Sequence, residues 1–166
     1  MKSVLLSIRQ KWCELIAKGE KTIEIRKTRP KMEPPFKVYI YMTAGDAVYN
    51  VTINGAPYTC SNVGGKCVIG EFVCDAIISN CEMANADIAE QQGCIKREHL
   101  LKYANGKELY GWHISDLVIY DKPKELSKFH VPGYSAMKDM DFVFSGDEKY
   151  WQIKKPPQSW CYVEEK

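Results

Sequence analysis

Short apolar runs alternate along the chain with breaks rich in Gly, Pro and Asn, and the period of each run predicts its element. Lys2 to Ile8 is an apolar run that predicts a first strand. Arg9 to Lys18 predicts a helix, because Trp12, Leu15 and Ile16 recur at i, i+3 and i+4 on one face, and Gly19 supplies the stop. From 21 to 27 the period drops to two. Ile23 and Ile25 point one way while Thr22, Glu24 and Arg26 point the other, as in a half-buried strand with one strongly polar face.

Thr28 to Pro35 is a proline-rich loop, and Phe36 to Thr43 is rich in Val, Ile and Tyr, a strand composition. Asn54-Gly55 between alternating residues predicts a hairpin over 48–59, an excursion from the core sheet near 44–65. Gly64-Gly65 marks a second turn. Lys66 to Ile78 is a longer strand with a bulge or sharp bend at Gly70. Residues 82–92 and 95–104 predict two short helices. The second carries Ile95, Leu100, Leu101 and Tyr103 and ends at Asn105-Gly106. Trp112 to Tyr120 is a strand stopped before Pro123, and Lys124 to Phe129 one helical turn. Residues 130–155 are irregular and aromatic, and Ser159 to Val163 is a closing strand.

Several strands with a few short helices predict an α+β fold built on a small, closed or strongly bent mixed sheet. Regular strand–helix alternation, the mark of a doubly wound parallel sheet, is absent. A length of 166 residues suits one domain over 1–166.

Composition excludes some classes. At 45% hydrophobic and 27% charged residues the chain is ordinary globular material rather than disorder. The net charge is only +2, but residues 1–32 hold nine Lys or Arg against three Glu, +6, which leaves −4 for the rest. That asymmetry fits either a basic face for an anionic partner or a solvated helix face beside a basic loop. The first residues carry a lysine too early for a signal peptide, and no run of about 18 apolar residues spans a membrane, so a cytoplasmic location is expected. Seven cysteines without a C-x-x-C pair argue against both a disulfide framework and a structural zinc site, and favour buried, reduced thiols.

The candidate chemistry concentrates at Lys21, Glu24 and Arg26. Two cations beside one carboxylate keep it ionised, and Glu24 then accepts hydrogen bonds from an amide or an amino edge. Arg26 suits a bidentate contact to phosphate or carboxylate, and Lys21 suits charge neutralisation or base catalysis. The alternative is an exposed ladder of charged pairs, each worth about 0–1 kcal/mol. Trp12 is either core packing or a stacking platform for a base. Ser7 and Arg9 sit at a strand-to-helix junction, where helix amides favour an anion. Lys27, Arg29 and Lys31 are a basic run able to track a nucleic-acid backbone, or a solvated loop. His113, at a strand start, is a structural or a ligand-binding histidine, and Ser159 lies on the closing strand. No phosphate loop, Ser-His-Asp constellation or metal-ligand spacing occurs.

The segment Ser7-Ile8-Arg9-Gln10-Lys11-Trp12-Cys13-Glu14-Leu15-Ile16, followed by Gly19-Glu20-Lys21-Thr22-Ile23-Glu24-Ile25-Arg26, resembles the signature of the ASCH domain, a family of the PUA-like superfamily. Its pattern is a strand ending in Leu-Ser-Ile, a helix with an early Trp, then Gly-x-Lys-x-x-Glu-x-Arg. Gly111 to Ser115, Asp121 to Leu126 and Pro156 to Tyr162 are similar to later parts of the family.

The resemblance implies a PUA-like β-barrel with helices packed against it and a cleft lined by the Gly-x-Lys-x-x-Glu-x-Arg strand. It implies RNA or a nucleotide-like small molecule as partner. Some members are ribonucleases or acetylcytidine amidohydrolases. The amidohydrolases use a Lys, a Thr and a Glu; here the Lys matches Lys21, the Thr position holds Glu24, and the Glu position aligns loosely with Gln92 rather than Glu90.

The expected function is therefore RNA or nucleotide-like ligand binding. The alternative is a small hydrolase with Lys21 and Glu24 as its acid–base pair. A second alternative is a protein-interaction module using the hairpin, with no partner specified. Ser7, Arg9, Trp12, Arg26, Lys27, His113 and Ser159 are the expected ligand contacts, and neither a cofactor nor a metal is called for.

Overall fold

The computed structural model describes residues 2–44, 51–53, 56–58, 66–134 and 151–165. In chain order the strands are β1 (Ser3–Ile8), β2 (Ile23–Arg26), β3 (Phe36–Met42), β4 (Val51–Ile53), β5 (Ala56–Tyr58), β6 (Cys67–Cys74), β7 (Ile77–Ile78), β8 (Tyr110–His113), β9 (Ser115–Lys124), β10 (Phe129–His130) and β11 (Trp160–Glu165). The helices are α1 (Gln10–Ala17), α2 (Ala86–Gly93) and α3 (Arg97–Ala104), with a 3-10 turn at Leu126–Lys128.

Six strands form a mixed sheet in the order β10-β11-β1-β3-β6-β9, and three form a second sheet, β2-β8-β7. β1 and β3 are parallel, joined through α1 and β2, and the other pairings are antiparallel. Parallel neighbours need such a crossover. β1 is buried at every position, as its unbroken apolar run requires of a strand covered on both faces. One face of the large sheet (Val4, Leu6, Ile8, Val38, Ile40, Met42) packs on Cys13 and Ile16 of α1 and on Trp112. Leu5, Tyr39, Tyr41, Val68 and Val163 form a separate core with Phe129.

The expected closed barrel is not found among the described residues: their pairing ends at β10 and β9. The sheet is nevertheless strongly curled. Five strand-to-strand steps of about 4.8 Å would set the edges of a flat sheet roughly 24 Å apart. The link from Lys124 to Phe129 reaches at most about 18 Å. Side chains bridge the curl. Lys124 of β9 is ion-paired with Glu165 of β11, and Tyr39 of β3 donates to Glu165 at 2.8 Å. Tyr120 of β9 donates to Glu71 of β6, and Lys37 reaches Glu71 at 2.7 Å. Burial opposes ionisation of Glu71, but the hydrogen bonds from Lys37 and Tyr120 outweigh it and hold the carboxyl below its usual value.

Gly19 ends α1 as expected. Its φ of +73° is in the left-handed region. Glu20 N–H donates to Leu15 O and Gly19 N–H to Ile16 O, both at 2.9 Å, a Schellman closure that satisfies the last carbonyls. Gly70 does sit at an irregularity, where the register shifts against both β3 and β9. A Cβ there would lie 2.4 Å from Val118 O. The expected long strand over 66–78 breaks at Asp75-Ala76 into β6 and β7. The expected strand from Trp112 is two, β8 and β9, and β9 runs through Pro123. Proline is tolerated there because β9 is an edge strand. The hairpin pairs Val51 with Tyr58 and Ile53 with Ala56, while its Asn54-Gly55 turn, Gly64-Gly65 and residues 135–150 lie outside the described residues. Cys67 is disulfide-bonded, against the expectation of reduced thiols throughout, and Cys13, Cys74, Cys81, Cys94 and Cys161 are free. Among the described residues no helix is long and apolar enough to cross a membrane.

Two outcomes are expected. Gly70→Ala drives a methyl into the Val118 carbonyl and should lower the unfolding free energy by about 1–3 kcal/mol in urea titrations. Glu71 titrates lower in the folded chain than in the unfolded one. Its contribution is therefore full above the ordinary glutamate value and lost as pH falls through the folded one. Glu71→Gln should flatten the acid limb of a stability–pH curve, and an unchanged limb would show that this network is not coupled to folding.

Candidate functional site

The period-two pattern of β2 sends its two faces to different environments. Ile23 and Ile25 pack with Ala89 of α2 and Leu100 and Ala104 of α3. Glu24 and Arg26 take the other face, which the sequence pattern leaves polar. That face is not in solvent: Glu24 is 5% exposed and Arg26 9%. Lys21, just before the strand and so released from its alternation, turns to the same place and is 3% exposed. β2 is an edge strand, and Trp12 of α1 and Gln158, before β11, share the cavity with its charged side chains.

The three charges form one buried group. Arg26 NH2 lies 2.8 Å from Glu24 Oε1, and Lys21 Nζ lies 3.4 Å from Glu24 Oε2. Further donors go to backbone carbonyls and to Ser159. Lys21 Nζ donates to Gly93 O at 2.7 Å, at the last residue of α2, where the helix dipole favours a cation. Arg26 NH2 donates to Ser7 O at 2.6 Å, and NH1 reaches Ser159 Oγ at 3.5 Å. Arg26 Nε is buried with no acceptor among the described residues. Lys21 Nζ also sits 4.9 Å from the centroid of the Trp12 ring, a cation–π contact. One carboxylate against two cations leaves a net charge of +1 out of water, a costly arrangement that an anionic ligand would relieve.

These groups floor a cavity of about 390 Å³. Ser7, Arg9, Trp12, Ile25, Thr43, Ile95, Tyr103 and Gln158 complete the lining. A volume of this size lies in the range of small-molecule sites. Trp12 is both things the sequence left open: it is half-buried against the main core and lines the cavity. Arg9 is exposed at the rim. Burial pushes the Tyr103 phenol up, so it stays a neutral hydrogen-bonding group. Beneath the floor, burial and then the nearby Glu24 charge push the Cys13 thiol well up, which makes it an inert core group.

The sequence-predicted residues are not all assembled here. Ser7, Arg9, Trp12, Lys21, Glu24 and Arg26 line the cavity. Ser159 stands behind Arg26, while Lys27 is exposed beside the cavity with Nζ 4.8 Å from the Tyr103 ring. His113 is outside the lining. Its Nδ1 is 2.6 Å from Asp75 Oδ1, and that hydrogen bond holds the Asp75 carboxyl below its usual value. Glu90 is engaged elsewhere, accepting from the Arg97 N–H at 2.6 Å, and Gln92 gives its carbonyl to the Thr22 N–H. Glu24 is accordingly the one carboxylate among the described lining residues. Sequence reasoning missed Tyr103, Ile95, Thr43 and Gln158, which come from distant segments. Tyr103 carried a signal, an aromatic ring that α3 leaves 38% exposed. Among the described residues no group of three or more His, Cys, Asp or Glu could hold a metal.

Comparison with known proteins bears on this arrangement. The family model of the ASCH domain matches residues 6–124, which includes most of the cavity lining. The crystal structure of ASCH from Zymomonas mobilis superposes with a TM-score of 0.62 at 17% identity, covering 98% of this chain and 87% of that one. Two mutant forms of the same protein give TM-scores of 0.58 and 0.62 at 17% and 16% identity, with coverage of 99% and 98% of this chain and 91% and 88% of theirs. At that identity the likeness concerns the fold. No curated protein matches the chain by sequence.

Burial of the charges has a measurable consequence. Glu24→Gln leaves two buried cations without their counter-charge and should cost roughly 3–5 kcal/mol of stability. Lys21→Met leaves the Arg26–Glu24 pair intact and should cost less. Urea denaturation of both variants is the check: losses below about 1 kcal/mol in each would mean that the charges are solvated, as on an open strand face.

Proposed function

The chain belongs to the ASCH domain family, and we propose that its cavity binds RNA or a nucleotide-like ligand, one nucleoside unit at a time. The observation that carries this reading is the buried Lys21–Glu24–Arg26 group with its uncompensated positive charge on the floor of an aromatic-edged cavity. Each part matches a part of such a ligand. The Glu24 carboxylate accepts from amino groups, as on the edge of adenine, cytosine or guanine. Trp12 and Tyr103 offer π faces to a base. The cations favour an anion over a neutral molecule. Lys27, and the exposed basic residues near it, extend that field outside the cavity.

A hydrolase is the second reading. It is favoured by the 3.4 Å approach of Lys21 Nζ to Glu24 Oε2 inside the cavity, the geometry of a proton donor beside a carboxylate. Against an amidohydrolase of the Lys–Thr–Glu type stand two points: Glu24 is at the Thr position, and no second carboxylate is among the described lining residues. Both Glu24 oxygens are already engaged by cations, which suits ligand recognition better than proton abstraction.

Titration with short single-stranded RNAs and the common nucleotides tests the binding reading. Affinity should fall as salt rises, and Trp12→Ala should remove about 1–3 kcal/mol of binding through lost stacking. Binding indifferent to both salt and Trp12 would overturn it. Acylated cytidines and RNA incubated with the wild type and Lys21→Ala separate the second reading, which does not survive turnover that is equal in the two.

A further inference from the structure

The polar side chains around the cavity divide into those with protein partners and those without. Lys21, Glu24 and Arg26 hold one another, and Ser7 donates its hydroxyl to Pro157 O at 2.7 Å. The Gln158 side chain lines the same cavity, is exposed, and has no hydrogen-bond partner among the described residues. The backbone that carries it is the opposite case. Ser7 grips that backbone on both sides, with its hydroxyl on Pro157 O and its N–H on Ser159 O at 2.9 Å. Ser7 O in turn accepts from Arg26 NH2 at 2.6 Å, and Arg26 NH1 reaches Ser159 Oγ at 3.5 Å. The next residue, Trp160, donates its indole N–H to Thr28 Oγ1 at 2.9 Å. Pro156 and Pro157 fix two successive φ angles ahead of it. The segment 156–160 is thus pinned on both sides of Gln158, which removes in advance part of the ordering cost of a contact made there. Among the described lining side chains Gln158 alone carries a donor and an acceptor on separate atoms of one plane.

Resting on the nucleotide-like reading above, we propose that Gln158 determines base specificity by pairing with the edge of the bound base, and that Ser7 is the residue that positions it. Phosphate is common to all nucleotides, so the cations of the floor attract them alike. Discrimination needs a group that meets the base edge with a defined pattern of donor and acceptor. The amide supplies one. Adenine presents the matching pattern, an amino donor beside a ring-nitrogen acceptor, and is the base that glutamine contacts in bidentate fashion.

The test is calorimetric titration of the whole chain with the four common nucleoside monophosphates at one salt concentration. The wild type is compared with Gln158→Leu, Gln158→Glu, Ser7→Ala and the double variant Ser7→Ala/Gln158→Leu, with folding checked by circular dichroism. The readout is the ratio of affinities between bases within each protein, which cancels any general loss of binding. Adenosine monophosphate should lead in the wild type by about tenfold, the worth of a bidentate pair. Gln158→Leu should bring the ratios toward one while leaving the salt dependence unchanged. Gln158→Glu can only accept, so it should shift the preference toward guanine, whose Watson–Crick edge carries two adjacent donors. Ser7→Ala should shrink the ratios, and the double variant should shrink them no further than Gln158→Leu alone, a coupling that a merely structural serine would not give. The Gln158 variants lie at an exposed position and decide the matter even where Ser7→Ala fails to fold. A wild type without base preference, or a preference that survives in both Gln158 variants, overturns the proposal and leaves the nucleotide-like reading standing. If none of the four nucleotides and no short RNA binds, both fall.

Discussion

Glu24 is the constraint around which the rest of the site is arranged. A carboxylate at 5% exposure is tolerable only with close positive partners, and it has two, Arg26 at 2.8 Å and Lys21 at 3.4 Å. Those partners carry the constraint outward. Through Lys21 the group is tied to the C-terminal carbonyl of α2, and through Arg26 to the backbone of β1 and to Ser159 before β11. A single short edge strand is thereby joined to a helix, to the large sheet and to the closing segment. The same group lines the cavity, so it is part of both the scaffold and the cavity wall.

The curl of the six-stranded sheet provides the frame for this. Its edges β9 and β10 are separated by the four residues Glu125–Lys128, too short a link for a flat sheet of that width. Polar bridges between strands that are not neighbours, Lys124 to Glu165 and Tyr39 to Glu165, span the bend. They lie with the second core, on the side of β1 that carries Leu5 rather than Leu6. The cavity lies where Trp12 of α1 and Lys21, Glu24 and Arg26 meet Ser7 near the end of β1.

Much of this was legible in the chain because it is encoded locally. A stop at Gly19, an irregularity at Gly70 and the alternation of Ile23 and Ile25 with Glu24 and Arg26 follow from backbone freedom and strand periodicity, which need no distant partner. Three of the residues named from sequence that line the cavity, Lys21, Glu24 and Arg26, belong to the motif Gly-x-Lys-x-x-Glu-x-Arg, and Ser7, Arg9 and Trp12 precede it in the same continuous segment. What failed was what depends on packing. The charged face of β2 is indistinguishable in sequence from a solvated one, because burial is decided by what covers it. His113 shared the pattern's neighbourhood but faces Asp75, and Pro123 did not stop β9 because only an interior strand needs that N–H.

By itself the sequence determined the approximate place of the main strands and helices, which side of β2 is charged and which family the chain resembles, for these rest on periodicity, turn chemistry and residue order. Only the tertiary structure decided that the charged side is buried and that Tyr103, Ile95 and Gln158 arrive from distant segments of the chain to wall it in. The physical reason is the same in each case. Alternation assigns a side chain to a face, but the free energy of its charge depends on the solvent it loses and the partners it meets, and both are supplied by segments remote in the chain.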